Sequence, residues 1–267
     1  MLNEVQWLVK AGFYSVVRPK IDRQKLNVMK EYSAGWENYS KYLDKCETLS
    51  DWLHIQGMED VPSFCQIDGK MVYKKFDSGE FNKQKLFQTL QRDFPTATSV
   101  TEYGCGIGRN LLFLKQQMPH VDFYGYELCK PGVEIANAAA QKFGLDVKYS
   151  QLDYAEGDDS DFIFPNTDVA YTMYSLEQLP DSNKVAMENI LRHTNLGSIH
   201  IEPVVENYPL SLRGLIGRLD HWKADYLKNF EKNISTLGLK EWQKDVLNTT
   251  HNPLMFPSVY ILKKRVI

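Results

Sequence analysis

One stretch constrains this chain more than any other: Ser99-Val100-Thr101-Glu102-Tyr103-Gly104-Cys105-Gly106-Ile107-Gly108-Arg109-Asn110-Leu111-Leu112-Phe113-Leu114. A short β-prone run enters alternating glycines, and an apolar helical pattern leaves them. Glycines at alternate positions form a turn with no Cβ in the way, so a ligand can lie on the backbone itself. The helix beyond offers free N–H groups toward that ligand. Two common uses of such a loop fit poorly. A dinucleotide turn wants a small residue three places after Gly106, where this chain has the bulky Arg109. A Walker-type phosphate loop ends in Gly-Lys-Ser/Thr, which is absent here.

Beyond this loop the pattern is regular. Strands are expected at 100–103, 121–126 (ending at Glu127), 147–149, 168–173 and 198–201 (ending at Glu202-Pro203). Helices are expected at 110–117, 131–143 and 185–191. Strands alternating with helices imply a parallel sheet covered on both faces, with its ligand at the carboxyl ends of the strands. The tail differs, with a helix expected over 220–236 and strand-like runs at 239–245 and 258–266. Two strands with no helix between them pair antiparallel or need a long loop. The expected fold is therefore α/β, a doubly wound, mostly parallel sheet with an antiparallel C-terminal strand.

The first ninety-odd residues read differently. Val5, Leu8, Val9, Phe13, Val16 and Val17 recur at helical spacing, and Pro19 ends or kinks that helix. A second helix carries Tyr32, Trp36, Tyr39 and Tyr42 or Leu43 on one face. Those aromatics either pack the segment onto the main domain or line a substrate pocket, and a lid helix does both. Residues 49–77 read as loops with a short strand at 71–73. Asp77 or Ser78 caps a helix running to Asp93, with Leu86, Phe87 and Leu90 facing inward. Residues 1–95 are thus expected to be a mainly helical extension acting as a lid, and residues 96–267 the core.

Composition narrows the partners. The net charge of −3 gives no global basic field for nucleic acid or anionic membrane. Lys263-Lys264-Arg265 reads as a solvated strand end. Cys46, Cys65, Cys105 and Cys129 are scattered, with no Cys-x-x-Cys pair or nearby histidine at ligand spacing. Neither a zinc site nor a disulfide framework is expected, and a reducing, cytoplasmic setting is. The start lacks the pattern of a signal peptide, and no run approaches a membrane span. A monomer or homodimer is expected.

The glycine loop resembles motif I of the class I S-adenosylmethionine (SAM)-dependent methyltransferases, in its Gly-Cys-Gly-x-Gly-Arg-Asn form at Gly104 to Asn110. The resemblance covers roughly residues 94–267. It implies SAM as cofactor, held by Glu102, Gly104, Gly106, Gly108 and Asn110 of the loop. Glu127 then meets the ribose hydroxyls, since a carboxylate has two oxygens to accept from a vicinal diol. Leu128 follows it. Asp153 is placed to accept from the adenine amino group, with Leu152 and Tyr154 flanking the ring. Asp158, Asp159 and Asp161 lie close behind and compete for that reading. Tyr174 follows the fourth strand, where family members wall the methionine end of the donor.

Catalytic assignments are less direct. Relatives with Leu-Glu-His after the fourth strand offer an imidazole there, but this chain has Leu176-Glu177-Gln178, and a glutamine cannot take a proton. Glu177 is left as the acceptor-orienting candidate or as a turn cap. His221 is the second catalytic candidate, against its reading as a surface helix histidine. Trp222 beside it, Glu202 at the end of the fifth strand, and Tyr32, Trp36 and Tyr39 are the substrate-binding candidates. Tyr174 and Ser175 stand where metal-dependent relatives carry acids, so no metal is expected. The resemblance implies methyl transfer to a small-molecule or glycan acceptor, at oxygen. The alternatives are a small-molecule N-methyltransferase or a catalytically silent SAM- or partner-binding module.

Overall fold

The computed structural model describes residues 3–54, 61–156 and 165–265, apart from the side chain of Glu37. The acidic run at Asp158, Asp159 and Asp161 lies outside the described residues. Strands β3 (Ser99–Tyr103), β4 (Asp122–Glu127), β5 (Val147–Gln151), β6 (Thr167–Met173), β7 (Thr194–Pro203), β8 (Glu241–Val246) and β9 (Pro257–Lys263) form one seven-stranded sheet in the order β5-β4-β3-β6-β7-β9-β8. The first five run parallel, and β9 lies antiparallel between β7 and β8. The fold class is the expected one. Strand order reverses between β3 and β6, so a crevice opens at their carboxyl ends.

Both faces of the sheet are covered, as a parallel sheet requires. On one face Val100, Phe123, Val169 and Ile199 are buried with Leu111, Leu112 and Leu114 of α5 (Arg109–Gln117) and Ile135 and Ala139 of α6 (Lys130–Lys142). Fully burying each of those leucines contributes about 1.5–3 kcal/mol. On the other face Ala170, Tyr260 and Leu262 meet Met187 and Ile190 of α7 (Asn183–Arg192) and Phe230 of α9 (Phe230–Ile234).

The N-terminal part is tied to this core at several points. In α1 (Glu4–Val17), Ser15 Oγ donates to Asp220 Oδ1 across 3.2 Å on α8 (Leu212–Ala224), and Arg18 pairs with the same carboxylate. The apolar stripe Val5, Val9, Phe13, Val16 and Val17, which amphipathicity alone would place inward, is turned outward and exposed. The helix α2 (Lys25–Lys45) is fixed near its end by Lys142 Nζ, which donates to the Leu43 carbonyl at 2.7 Å. The short α3 (Leu49–Leu53) buries Trp52 and Leu53. Asp77 caps α4 (Ser78–Asp93) by accepting from Glu80 N–H at 2.7 Å, as its sequence predicts. Leu86 and Leu90 of α4 enter the main core.

Two local expectations are corrected. The segment expected to be loops around one strand at 71–73 contains a hairpin, β1 (Ser63–Ile67) against β2 (Lys70–Lys74). Its turn, Asp68-Gly69, has positive φ at both residues (49° and 80°), the geometry that a two-residue hairpin requires. Gln66 also bridges to Thr250, fastening the hairpin near the C terminus. The helix expected over 220–236 begins earlier, at Leu212, and breaks where Asp225 and Asn229 take left-handed backbone (φ 54° and 55°).

Candidate functional site: a glycine-floored cleft under the aromatic helix

A cleft of about 390 Å³ opens at the carboxyl ends of β3, β4 and β6. Its floor is the glycine loop, whose Gly104, Gly106 and Gly108 all have positive φ (75°, 54° and 78°). Each glycine is required for a different reason. A Cβ on Gly104 would lie 1.8 Å from Ser175 Oγ, and one on Gly106 would lie 3.0 Å from the Trp36 ring. A Cβ on Gly108 would lie 2.6 Å from Tyr149, whose hydroxyl donates to the Gly108 carbonyl at 2.9 Å. Gly108 therefore seats α5 on the sheet and lies outside the cleft lining.

Around that floor stand acids at fixed stations. Glu127 ends β4, and its two oxygens accept from Gly106 N–H and Cys129 N–H, each at 2.9 Å. Burial raises its pKa against those donors, which favour the charged form. Glu102 is buried at the end of β3 and accepts from Asn110 Nδ2 at 2.7 Å through Oε1. Burial pushes its pKa up to about 7, against hydrogen bonding from Asn110 and the Tyr171 hydroxyl, which favours the charged form. Asp153 follows β5, accepting from Ala155 N–H at 2.9 Å and pairing with Lys25 Nζ at 2.8 Å. Lys25 also reaches Glu156, and these partners raise its pKa. Leu128, Leu152 and Tyr154 line the same wall, with the Tyr154 hydroxyl 2.6 Å from Ser175 Oγ.

The opposite end is built on the turn after β6. Tyr174 has left-handed backbone (φ 54°), rare for a non-glycine residue and a mark of local constraint. Its hydroxyl lies 3.4 Å from Asn82 Nδ2. Glu177 and Gln178 follow, both buried and both lining the cleft. Gln178 Nε2 donates to Glu177 Oε1 at 2.9 Å, leaving Glu177 Oε2 and Gln178 Oε1 without partners. Burial first, then the charge of Glu202, raises the Glu177 pKa well above the carboxylate range.

Tyr32, Trp36 and Tyr39 of α2 line the cleft from above, their rings 5.8 Å and 5.7 Å apart in succession. They also pack on the main domain: Trp36 and Tyr39 touch its core. The one helix thus packs on the core and lines the cleft.

Three candidates fall elsewhere. His221 is buried behind the cleft, with Nε2 2.8 Å from the Leu227 carbonyl and Nδ1 3.3 Å from the Tyr208 hydroxyl. Burial lowers its pKa to about 4, so it is neutral, with both ring nitrogens locally engaged. Trp222 faces outward, 53% exposed, with Lys20 Nζ 5.4 Å from its ring. Glu202 is buried beneath the turn and accepts from Ser175, Leu176 and Glu177 N–H at 3.1, 3.1 and 3.2 Å. It braces the turn from below and is absent from the cleft lining. Conversely, the cleft includes Ser175, Gln178, Arg109 and Val28, which sequence reading did not assign to it. The signal for Ser175 and Gln178 is their place directly after the fourth strand.

The residues present fit SAM. The glycine floor leaves no Cβ to obstruct it, and the carboxylates of Glu127 and Glu102 line the same cleft, groups suited to a diol and to an ammonium. Among the described residues no cluster of His, Cys, Asp or Glu could hold a metal, and no helix is long and apolar enough to cross a membrane.

Residues 100–197 match the family model described as a methyltransferase domain. No curated protein matches the chain by sequence. Among solved structures, the magnesium protoporphyrin IX methyltransferase of Synechocystis PCC 6803, with bound SAH (the demethylated product of SAM), is 14% identical, with a TM-score of 0.55 over 70% of this chain and 84% of that one. The plantazolicin methyltransferase BpumL, also with SAH, is 14% identical with a TM-score of 0.51, covering 91% and 98% of the two chains. The [4+2]-cyclase SpnF is 14% identical with a TM-score of 0.59, covering 94% and 98%. At such identities the likeness is one of fold. Residues 100–197 thus match a methyltransferase domain, and the chain shares the fold of these solved structures, with the glycine-floored cleft inside the matched segment.

Proposed function

We propose that this chain transfers the methyl group of SAM to a hydroxyl of a small-molecule or carbohydrate acceptor. The observation that carries this reading is the joining of two ends in one cleft. Gly106 and Glu127 form the donor end, and Tyr174, Glu177 and Gln178 form the acceptor end beneath the aromatic face of α2. Bound SAM supplies a methyl group on a positively charged sulfur. Glu127 would hold the ribose hydroxyls, Asp153 the adenine amino group, and Glu102 the ammonium. Leu152 and Tyr154 flank the base.

With SAM bound, its methyl group would be the one an acceptor oxygen takes in line with the departing sulfur, which keeps the electron pair of the broken bond. The hydroxyl proton passes to Glu177 Oε2. Burial and Glu202 raise its pKa, so Glu177 takes this proton in its ionised form, whose population grows as pH rises and which is a stronger base than an ordinary carboxylate. Aromatic covering by Tyr32, Trp36 and Tyr39 excludes water, and holding donor and acceptor in line supplies about 7–11 kcal/mol of the barrier. His221, Trp222 and Glu202 act structurally in this reading.

The test is turnover. Incubation with SAM and separate panels of hydroxyl compounds and amines, read as SAH released, is expected to show activity with hydroxyl compounds. Activity confined to amines would make the enzyme an N-methyltransferase. SAH binding with no turnover on either panel would favour a SAM-binding module without catalysis. Gln178, which cannot serve as a proton acceptor, is the residue that favours this second reading.

A further inference from the structure

We infer that the face made by α1 and α8 docks on an anionic lipid surface, seating its exposed apolar side chains among the acyl chains and its cationic rim on the headgroups. The inference goes beyond the methyl-transfer reading and does not depend on it.

The two helices lie side by side and run parallel. A Cβ on Gly12 would lie 3.4 Å from Ile216 Cδ1, and Ser15 Oγ donates to Asp220. Lys223 Nζ donates to the carbonyls of Val16 and Arg18 at 3.2 and 2.9 Å, so the contacts advance together along both helices. At about 100° per residue, Val5, Val9, Phe13 and Val16 centre about a quarter turn on from Gly12 and Ser15 around α1. Leu212, Leu215 and Trp222 centre about a quarter turn back from Ile216 and Asp220 around α8. For parallel neighbours those opposite rotations reach the same side, so the two stripes join in one face. Every one of these apolar side chains is more than half exposed. A contiguous apolar face with a polar rim marks an interaction site.

Charge points to the occupant. The whole chain is at −3, yet α1 with the turn to Lys20, taken with α8, carries Lys10, Arg18, Lys20, Arg213, Arg218 and Lys223 against only Glu4 and Asp220. Asp220 is already paired with Arg18 at 3.3 Å. At one end of the face the ammonium groups of Lys20 and Lys223 stand 5.4 and 5.8 Å from the Trp222 ring. An indole with lysines beside it suits the headgroup level of a bilayer, the apolar part inward and the charge in water. A second copy of the chain is the other candidate, but a two-fold contact would set this basic rim against itself. An anionic lipid surface complements the rim, and each cation near it adds attraction. Among the described residues no helix is long and apolar enough to span a bilayer, so the contact is made from the surface.

Co-sedimentation of the full chain with vesicles tests this, using phosphatidylcholine alone and an equimolar mixture of phosphatidylcholine and phosphatidylglycerol, at low and high salt. The expected result is binding to the mixed vesicles, weakened several-fold by salt, and little binding to phosphatidylcholine alone. Val9→Asp combined with Phe13→Asp should weaken binding at least about tenfold by removing apolar insertion. Lys10→Glu combined with Lys20→Glu should weaken it at least about tenfold through the rim. All four positions are exposed, and circular dichroism verifies that each variant folds. No binding to the mixed vesicles, equal binding to both compositions, or binding untouched by either pair of substitutions would each overturn the inference. Light scattering supplies the remaining outcome: a dimer in solution that Val9→Asp with Phe13→Asp splits into monomers would give this face to a second copy and overturn the lipid assignment.

Discussion

The N–H of Gly106 donates to Glu127 Oε2 across 2.9 Å, tying the middle of the glycine loop to the acid that ends the neighbouring strand. Cys129 N–H holds the other oxygen. The loop and the acid are thereby one preorganised unit, and a ligand meets both in fixed positions. That coupling explains why the glycines tolerate so little change.

Gly104→Ala should destabilise the fold by well over the roughly 1–2 kcal/mol that left-handed backbone alone costs a residue with a Cβ. The added methyl would sit 1.8 Å from Ser175 Oγ. Gly144→Ala is the control, since Gly144 has φ +65° but open space around it. Thermal unfolding of both variants, and of Gly104→Ala combined with Ser175→Gly, separates the parts: the double variant should recover the clash and keep the backbone cost.

SAM affinity should rise with pH through neutrality. Glu102 has its pKa pushed up to about 7 by burial, so below that pH its carboxyl is protonated and cannot receive an ammonium as a charged partner. Binding favours the ionised form, so affinity is lost as pH falls through 7, by about tenfold from pH 8 to pH 6. Glu102→Gln should bind more weakly and without that slope. Titration calorimetry at the two pH values reads both.

Much of this was legible in the sequence, and the exceptions have identifiable causes. The strand–glycine–helix order, Glu127 and Asp153 followed from local pattern and resemblance, and the antiparallel tail followed from two strands with no helix between them. Trp36 and Tyr39 are recognisable as one face of a helix, though the pattern does not show that the same face lines the cleft and touches the core. The hairpin was missed although Asp68-Gly69 is a strong turn signal, because its flanking strands are short and only half buried. His221 was misplaced because sequence gives no view of the Leu227 carbonyl and the Tyr208 hydroxyl that occupy its nitrogens. The outward stripe on α1 shows the same limit: periodicity identifies a face without saying which way it turns.

Lys25→Met should speed SAH release modestly. Lys25 Nζ fastens the start of α2 to Asp153 at 2.8 Å, at the wall proposed for adenine. The lysine is 44% exposed, so the pair is worth no more than about 1 kcal/mol, a rate change of at most about fivefold. Stopped-flow release at low and high salt checks this, with the wild type approaching the variant as salt rises.

His221→Asn should lower the melting temperature and spare the chemistry. Both ring nitrogens are engaged and buried away from the cleft, so the loss of one hydrogen bond there costs about 1–3 kcal/mol of stability. Turnover at a temperature where both proteins are folded should match wild type, and a loss of a hundredfold or more would restore His221 as a catalytic candidate.

The most direct measurement is calorimetric titration of SAH into wild type and Glu127→Ala at pH 8. The wild type should bind one equivalent with micromolar affinity, and the variant at least tenfold more weakly, because a hydrogen-bonded charged partner of the ribose is gone. A wild type that takes up no SAH at high micromolar concentration, or a folded Glu127→Ala protein that binds as tightly as wild type, would contradict the central role given to this loop and its acid.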